Sequence, residues 1–252
     1  MSARITSFAL LLVCLGVWEL SCRLFEISEL VIPRPFAVGV VLFDGLSSGY
    51  LWPHIWITTV EMLLGLSLGA MFGFLSGVVL AEYEPLRRML WPYVIASQVV
   101  PKLALGPLFI VWFGFGLTST VVITALICFF PLLENTLTGL GRVDPHKQEL
   151  FRMLRATRWQ TLVRLKIPAG LPVILAGLRV ATVLSLVGAV VGEFLAGQTG
   201  LGATIIAARG MMDSSLMFAV FFIITALGMC VYQIIVFAES WLLRHHPEGS
   251  SL

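Results

Sequence analysis

The chain has 252 residues, 58% of them hydrophobic and only 12% charged, with a formal net charge of +2. Soluble domains carry about 25% charged and roughly 45–50% apolar residues, so this composition excludes an ordinary soluble protein. Long apolar runs make it a polytopic membrane protein, all-α because a helix satisfies its own backbone in lipid, and no basic patch interleaved with aromatics points to nucleic acid.

In chain order, the first span runs from about Ile5 to Leu24. Arg4, the apolar run and Ser21-Cys22 resemble a secretion signal, but Trp18 and Glu19 sit badly before a cleavage site, so the span is expected to be retained. Ile27 to Gly49, with Pro33-Arg34-Pro35, is an external loop with a surface helix. The second span covers about His54 to Val79 and is followed by a short turn, Glu82 to Arg88. Gly65, Gly69, Gly73 and Gly77 recur on one face of that span as a small-residue seam, within the chain or across a dimer.

A third segment, Met89 to Phe113, is interrupted by Pro92, Pro101 and Pro107. The turn Gly114 to Ser119 leads to a fourth span, Thr120 to Leu140. A fifth span from Leu171 to Val191, an outer loop from Glu193 to Ser214, a sixth span from Leu216 to Leu243 and a polar tail complete a six-span chain forming one domain over residues 1–252. Cys14, Cys22, Cys128 and Cys230 lie in or beside apolar runs without metal-ligand spacing, and read as small buried apolar residues.

Between spans four and five lies the only long polar stretch, Arg142 to Pro172. It holds seven of the sixteen Lys and Arg residues: Arg142, Lys147, Arg152, Arg155, Arg158, Arg164 and Lys166. Asp144 suits a helix cap and Pro145 the first helical position, with Leu150, Phe151 and Leu154 on one face of the short helix that follows. Such a helix either docks against a cytoplasmic partner or is a solvated basic loop that fixes topology. With both termini inside, the inner segments hold Arg4, Arg87, Arg88, the seven loop residues and Arg244, against Arg23, Arg34 and Arg209 outside. That bias places the polar stretch in the cytoplasm.

The polar stretch resembles the cytoplasmic loop of permease subunits of ATP-binding-cassette importers. Their signature maps onto Glu149-Leu150-Phe151, Arg155, Leu165 and Ile167-Pro168, with only the Glu and the last Pro matching outright. The flanks Ala156-Thr157-Arg158-Trp159-Gln160-Thr161 and Pro168-Ala169-Gly170-Leu171-Pro172 are similar to the nitrate/sulfonate/taurine branch. So are Pro101-Lys102-Leu103-Ala104-Leu105, Trp112-Phe113-Gly114 and Gly188 to Phe194.

The resemblance implies a type I importer permease fold, a homodimer in the bacterial inner membrane, a cytoplasmic ATPase dimer and a periplasmic substrate-binding protein. It implies a coupling loop over 141–170 whose ATPase contacts are Glu149, Leu150, Phe151, Arg152, Leu154, Arg155, Ala156 and Arg158. The family's Gly stands at a left-handed turn where this chain has Arg155. Arg155 there would store about 1–3 kcal/mol, unless the turn is made differently or the helix continues.

Among groups that could carry chemistry, no Gly-x-x-x-x-Gly-Lys-Ser/Thr loop exists, so ATP and Mg belong to the partner ATPase and the chain itself is not an enzyme. His54, His146, His245 and His246 are scattered, and no metal site is expected. Charges inside a membrane need partners or a water-filled path. Ser97, Gln98 and Lys102 could line a path favourable to an anionic solute, or Lys102 could pair with a carboxylate such as Glu61, or snorkel. Glu193 could gate the outer mouth or cap its helix end. Glu134 and Arg179 come to similar depths and are expected to form a structural ion pair. A secondary transporter driven by an ion gradient is the alternative, but it should show inverted repeats, and none is evident.

Overall fold

The computed structural model describes residues 2–244, and every regular element among them is helical. Helix α1 covers Ser2–Leu24 and α2 Pro35–Ser47, the latter within the expected external loop. Helix α3, Trp52–Glu82, is the second span, extended by a residue or two at its start and three at its end. Only Tyr83 separates it from α4, Glu84–Val99, so the expected turn from Glu82 to Arg88 is helical instead. Glu84 in its first turn bonds Arg88 at 2.7 Å, and that guanidinium holds the Glu84 carboxyl below the usual carboxylate range.

The third segment breaks where its prolines dictate: α4, a 3-10 turn at Lys102–Leu105, then α5 at Gly106–Phe113. None of these pieces is long enough to cross a membrane alone. Gly114 and Gly116, at φ 79° and 100°, take the left-handed conformations that turn the chain into α6, Leu117–Gly141. The Ser119 hydroxyl bonds the carbonyls of Phe109 and Gly114, and Gly116 N–H bonds Ala196 O at 2.7 Å, so this corner is fastened to two helices.

After the polar stretch, α9 runs over Ile167–Ala196. The expected outer loop contains a further helix, α10 at Leu201–Gly210, before α11 at Ser214–Leu243. Asp213 caps α11 by accepting from Leu216 N–H at 2.9 Å. Four helices among the described residues are long and apolar enough to cross a membrane: α3, α6, α9 and α11.

The centre is a three-helix layer with α6 between α3 and α9. All four seam glycines of α3 are buried and meet α6, so the seam closes within one chain. A methyl on Gly77 would stand 2.6 Å from Thr136 Cβ, and one on Gly69 2.8 Å from Cys128 Cβ. Helix α9 approaches the other side through Gly170, Gly177, Gly188 and Gly192, so backbones nearly touch on both faces of α6. Cys22 and Cys128 are buried as expected, but Cys14 and Cys230 are exposed on outward faces of α1 and α11, where lipid can cover them.

Candidate functional site

The polar stretch folds into three short pieces: α7 at Pro145–Met153, α8 at Arg158–Thr161 and a π-helical turn at Leu162–Lys166 that runs into α9. Asp144 caps α7 by accepting from His146 N–H at 2.8 Å, and Pro145 fills its first turn. At its end Arg155 adopts φ 52°. Ala156 N–H bonds Phe151 O at 3.0 Å and Arg155 N–H bonds Arg152 O at 2.9 Å, the paired bonds of a Schellman stop. The turn is therefore left-handed, with Arg155 standing where glycine would be unstrained. Thr157 and Gln160 then form a reciprocal capping box that starts α8.

Helix α7 buries none of its residues. Leu150 and Met153 on the helix and Leu154 at its C-cap are 54%, 74% and 69% exposed, while Phe151 is half-buried. Half a helical turn away, Gln148 and Arg152 line a polar cleft of about 360 Å³ with Arg158, Thr161, Lys166 and Glu82. The residues expected to meet an ATPase are thus divided: Leu150 and Leu154 face outward, while Arg152, Ala156 and Arg158 line the cleft. Lys166 Nζ bonds Glu82 Oε1 at 2.6 Å, with side chains only 18% and 16% exposed. This ion pair ties the loop to the end of α3 across 84 residues of sequence.

In the broken third segment, Lys102 Nζ lies 3.4 Å from Gln98 Oε1 and forms no ion pair among the described residues. Its possible partner Glu61 points elsewhere. Ser97 is exposed and its hydroxyl is spent on Val94 O at 2.7 Å. No residue of α4 is buried.

Glu193 is separate from this group. It is 1% exposed and accepts from Thr58 Oγ1 at 2.6 Å and from Gly202 N–H in the first turn of α10. Thr58 also accepts from Leu201 N–H at 2.8 Å, and His54 Nδ1 from Gly200 N–H at 3.1 Å. Glu193 thus joins α9 and α3 to the start of α10. Glu61, also 1% exposed, faces Glu193 and Thr120, with its Oε2 lacking a hydrogen-bond partner.

The expected pair of Glu134 and Arg179 does not form. Arg179 Nε lies 3.1 Å from Glu239 Oε2 on α11, and Glu134 is exposed on α6. Depth along the helices placed Glu134 near Arg179, but depth does not say which face of its helix a side chain takes, and Glu134 is exposed while Arg179 turns to α11. Sequence reasoning also missed Glu82, Lys166, Thr58 and Glu239. Glu82 was taken for a turn, and a charge just past a span carries no signal of its partner. The histidine pair His245-His246 lies outside the described residues.

An all-helical membrane body with long apolar spans, a proline-broken segment and one basic loop between spans is the build of a transport subunit. The chain belongs to the family of binding-protein-dependent transport system inner membrane components, whose pattern matches residues 36–244. It is 36% identical over 234 residues to the riboflavin transport system permease protein of Chloroflexus aurantiacus, covering 93% of this chain and 87% of that one. It is 34% identical over 232 residues to the formylaminopyrimidine transport permease protein of Halalkalibacterium halodurans, covering 92% of each. Among solved structures, an inward-facing MetNI methionine ABC transporter chain superposes with a TM-score of 0.66 at 18% identity, covering 78% of this chain and 97% of that one. The fold is that of a type I importer permease, and the protein is the non-catalytic membrane subunit of an ABC importer for small solutes, its ATPase a separate chain.

Proposed function

We propose that α7 is the coupling helix, docking on the ATPase and passing its closure to the spans. The observation that carries this is the outward apolar face of Leu150, Met153 and Leu154 on a helix with no buried residue. Glu149 and Phe151 flank that face, and Arg155 holds its end. Nucleotide-driven movement of such a handle biases a two-state membrane body, with ATP and Mg held by the partner. The charge bias in the sequence supports both termini and α7 on the cytoplasmic side of a bacterial inner membrane, with α1 and the broken third segment completing six passes in a single domain.

A second copy of the chain completes the path. Helix α4, unburied in one chain and carrying Gln98 and Lys102, supports a path wall shared between copies. The unpaired Lys102 ammonium supports a small anionic solute. A second reading, an uncharged heterocycle, is favoured by the relatives named for riboflavin and formylaminopyrimidine transport.

The test of the coupling reading is co-purification with the ATPase subunit. L150D/L154D should lose the ATPase while eluting as a folded permease. Undiminished co-purification, or solute uptake by the permease alone on an ion gradient, would refute it. Uptake of an anion panel against a heterocycle panel separates the two substrate readings.

A further inference from the structure

We propose that the cleft beneath α7 and α8 is a binding site for an anionic phospholipid, its phosphate held by Arg152 and Arg158 and its acyl chain lying along the end of α3. Two cavities meet there, sharing Glu82 and Arg158. The polar one, about 360 Å³, presents Arg152, Arg158 and Lys166 against the single carboxylate of Glu82. Lys166 neutralises Glu82, which leaves two guanidinium groups without an ion pair among the described residues. The adjoining cavity, about 320 Å³, is apolar and is formed by Val78, Val79, Tyr83, Trp159 and Leu162.

A basic head next to an apolar trough is the chemistry of a phosphodiester with a hydrocarbon tail, and it lies where α3 leaves the membrane. Trp159, 71% exposed, and Tyr83 are the aromatic types that settle at a membrane–water boundary. Basic pockets at the cytoplasmic ends of spans take anionic headgroups for the same reason. A second basic cavity, bearing Arg87, Arg88 and Trp91, is a poorer candidate because both arginines already face Glu84, at 3.8 and 2.7 Å.

The inference rests on the cytoplasmic placement of the loop but not on ATPase docking, because Leu150 and Leu154 stand on the opposite side of α7 from Arg152. It is therefore tested on the full chain alone, without the ATPase. Reconstituted in vesicles of equal phosphatidylglycerol and phosphatidylcholine and then extracted, the chain should retain phosphatidylglycerol in native mass spectra by about tenfold over phosphatidylcholine. R152Q/R158Q should abolish that preference, R152K/R158K should keep most of it, and R87Q/R88Q should leave it intact.

Equal retention of the two lipids, or a preference surviving in R152Q/R158Q, overturns the proposal. Displacement by excess glycerol phosphate overturns the lipid assignment in favour of a free phosphate site.

Discussion

At the scale of single residues, two positions state their energetics plainly. Arg155 occupies φ 52° because the Schellman bonds to Phe151 and Arg152 demand a left-handed residue there. Such strain costs about 1–3 kcal/mol, and glycine would relieve it at an entropic cost of roughly 0.5–1 kcal/mol. Arg155→Gly should therefore stabilise the protein by about 1 kcal/mol, read as a higher melting temperature in detergent; a lower one would contradict the turn. The second position is Arg179, whose guanidinium reaches Glu239 and not Glu134. Contacting charged residues couple by about 0.5–3 kcal/mol in a double-mutant cycle, so Arg179→Gln with Glu239→Gln should show coupling of that order. The same cycle with Glu134→Gln should show none within error.

At the scale of elements, α6 is held from both sides by glycines, and its neighbours have no room for larger side chains. A Cβ on Gly77 would meet Thr136 Cβ at 2.6 Å and the Leu133 carbonyl at 2.9 Å. Backbone cannot retract as a side chain can, so Gly77→Leu should cost at least the 1–3 kcal/mol typical of overpacking. Lower folded yield and earlier thermal unfolding would register it, while Gly16→Ala, in the interior of α1 with nothing within 4 Å, should lower neither and should stabilise by at most about 1 kcal/mol. The four-residue glycine period made this seam readable, as apolar run length did the four long helices. Helix α10 was not readable because a ten-residue apolar stretch between turn signals looks like loop until Glu193 and Thr58 are seen receiving its first N–H groups. The site divided in the same way. Asp144 and Pro145 announced α7 locally, whereas Glu82–Lys166 and Arg179–Glu239 are agreements between distant segments that no local pattern records.

At the scale of the whole molecule, the coupling proposed for α7 needs a route by which force on that helix reaches spans packed around α6. Covalently, the loop leads through the π-helical turn into α9; non-covalently, Lys166 pairs with Glu82 at the end of α3. A wide helical turn is mechanically softer than α-helix and often marks a functional site, so the ion pair supplies the stiff second connection. Truncating one partner of a buried pair costs about 3–5 kcal/mol, less here because each side chain still meets some solvent. Coupling should suffer more than folding. Glu82→Gln and Lys166→Gln should each leave a complex that binds and hydrolyses ATP but moves solute about tenfold more slowly, the equivalent of 1.4 kcal/mol of lost coupling. The exchange Glu82→Lys with Lys166→Glu, which restores attraction with reversed polarity, should recover most of the uptake. Were the exchange as defective as either single variant, or were ATP hydrolysis to fall in step with uptake, the connection from α7 to α3 would have to run through α9 alone.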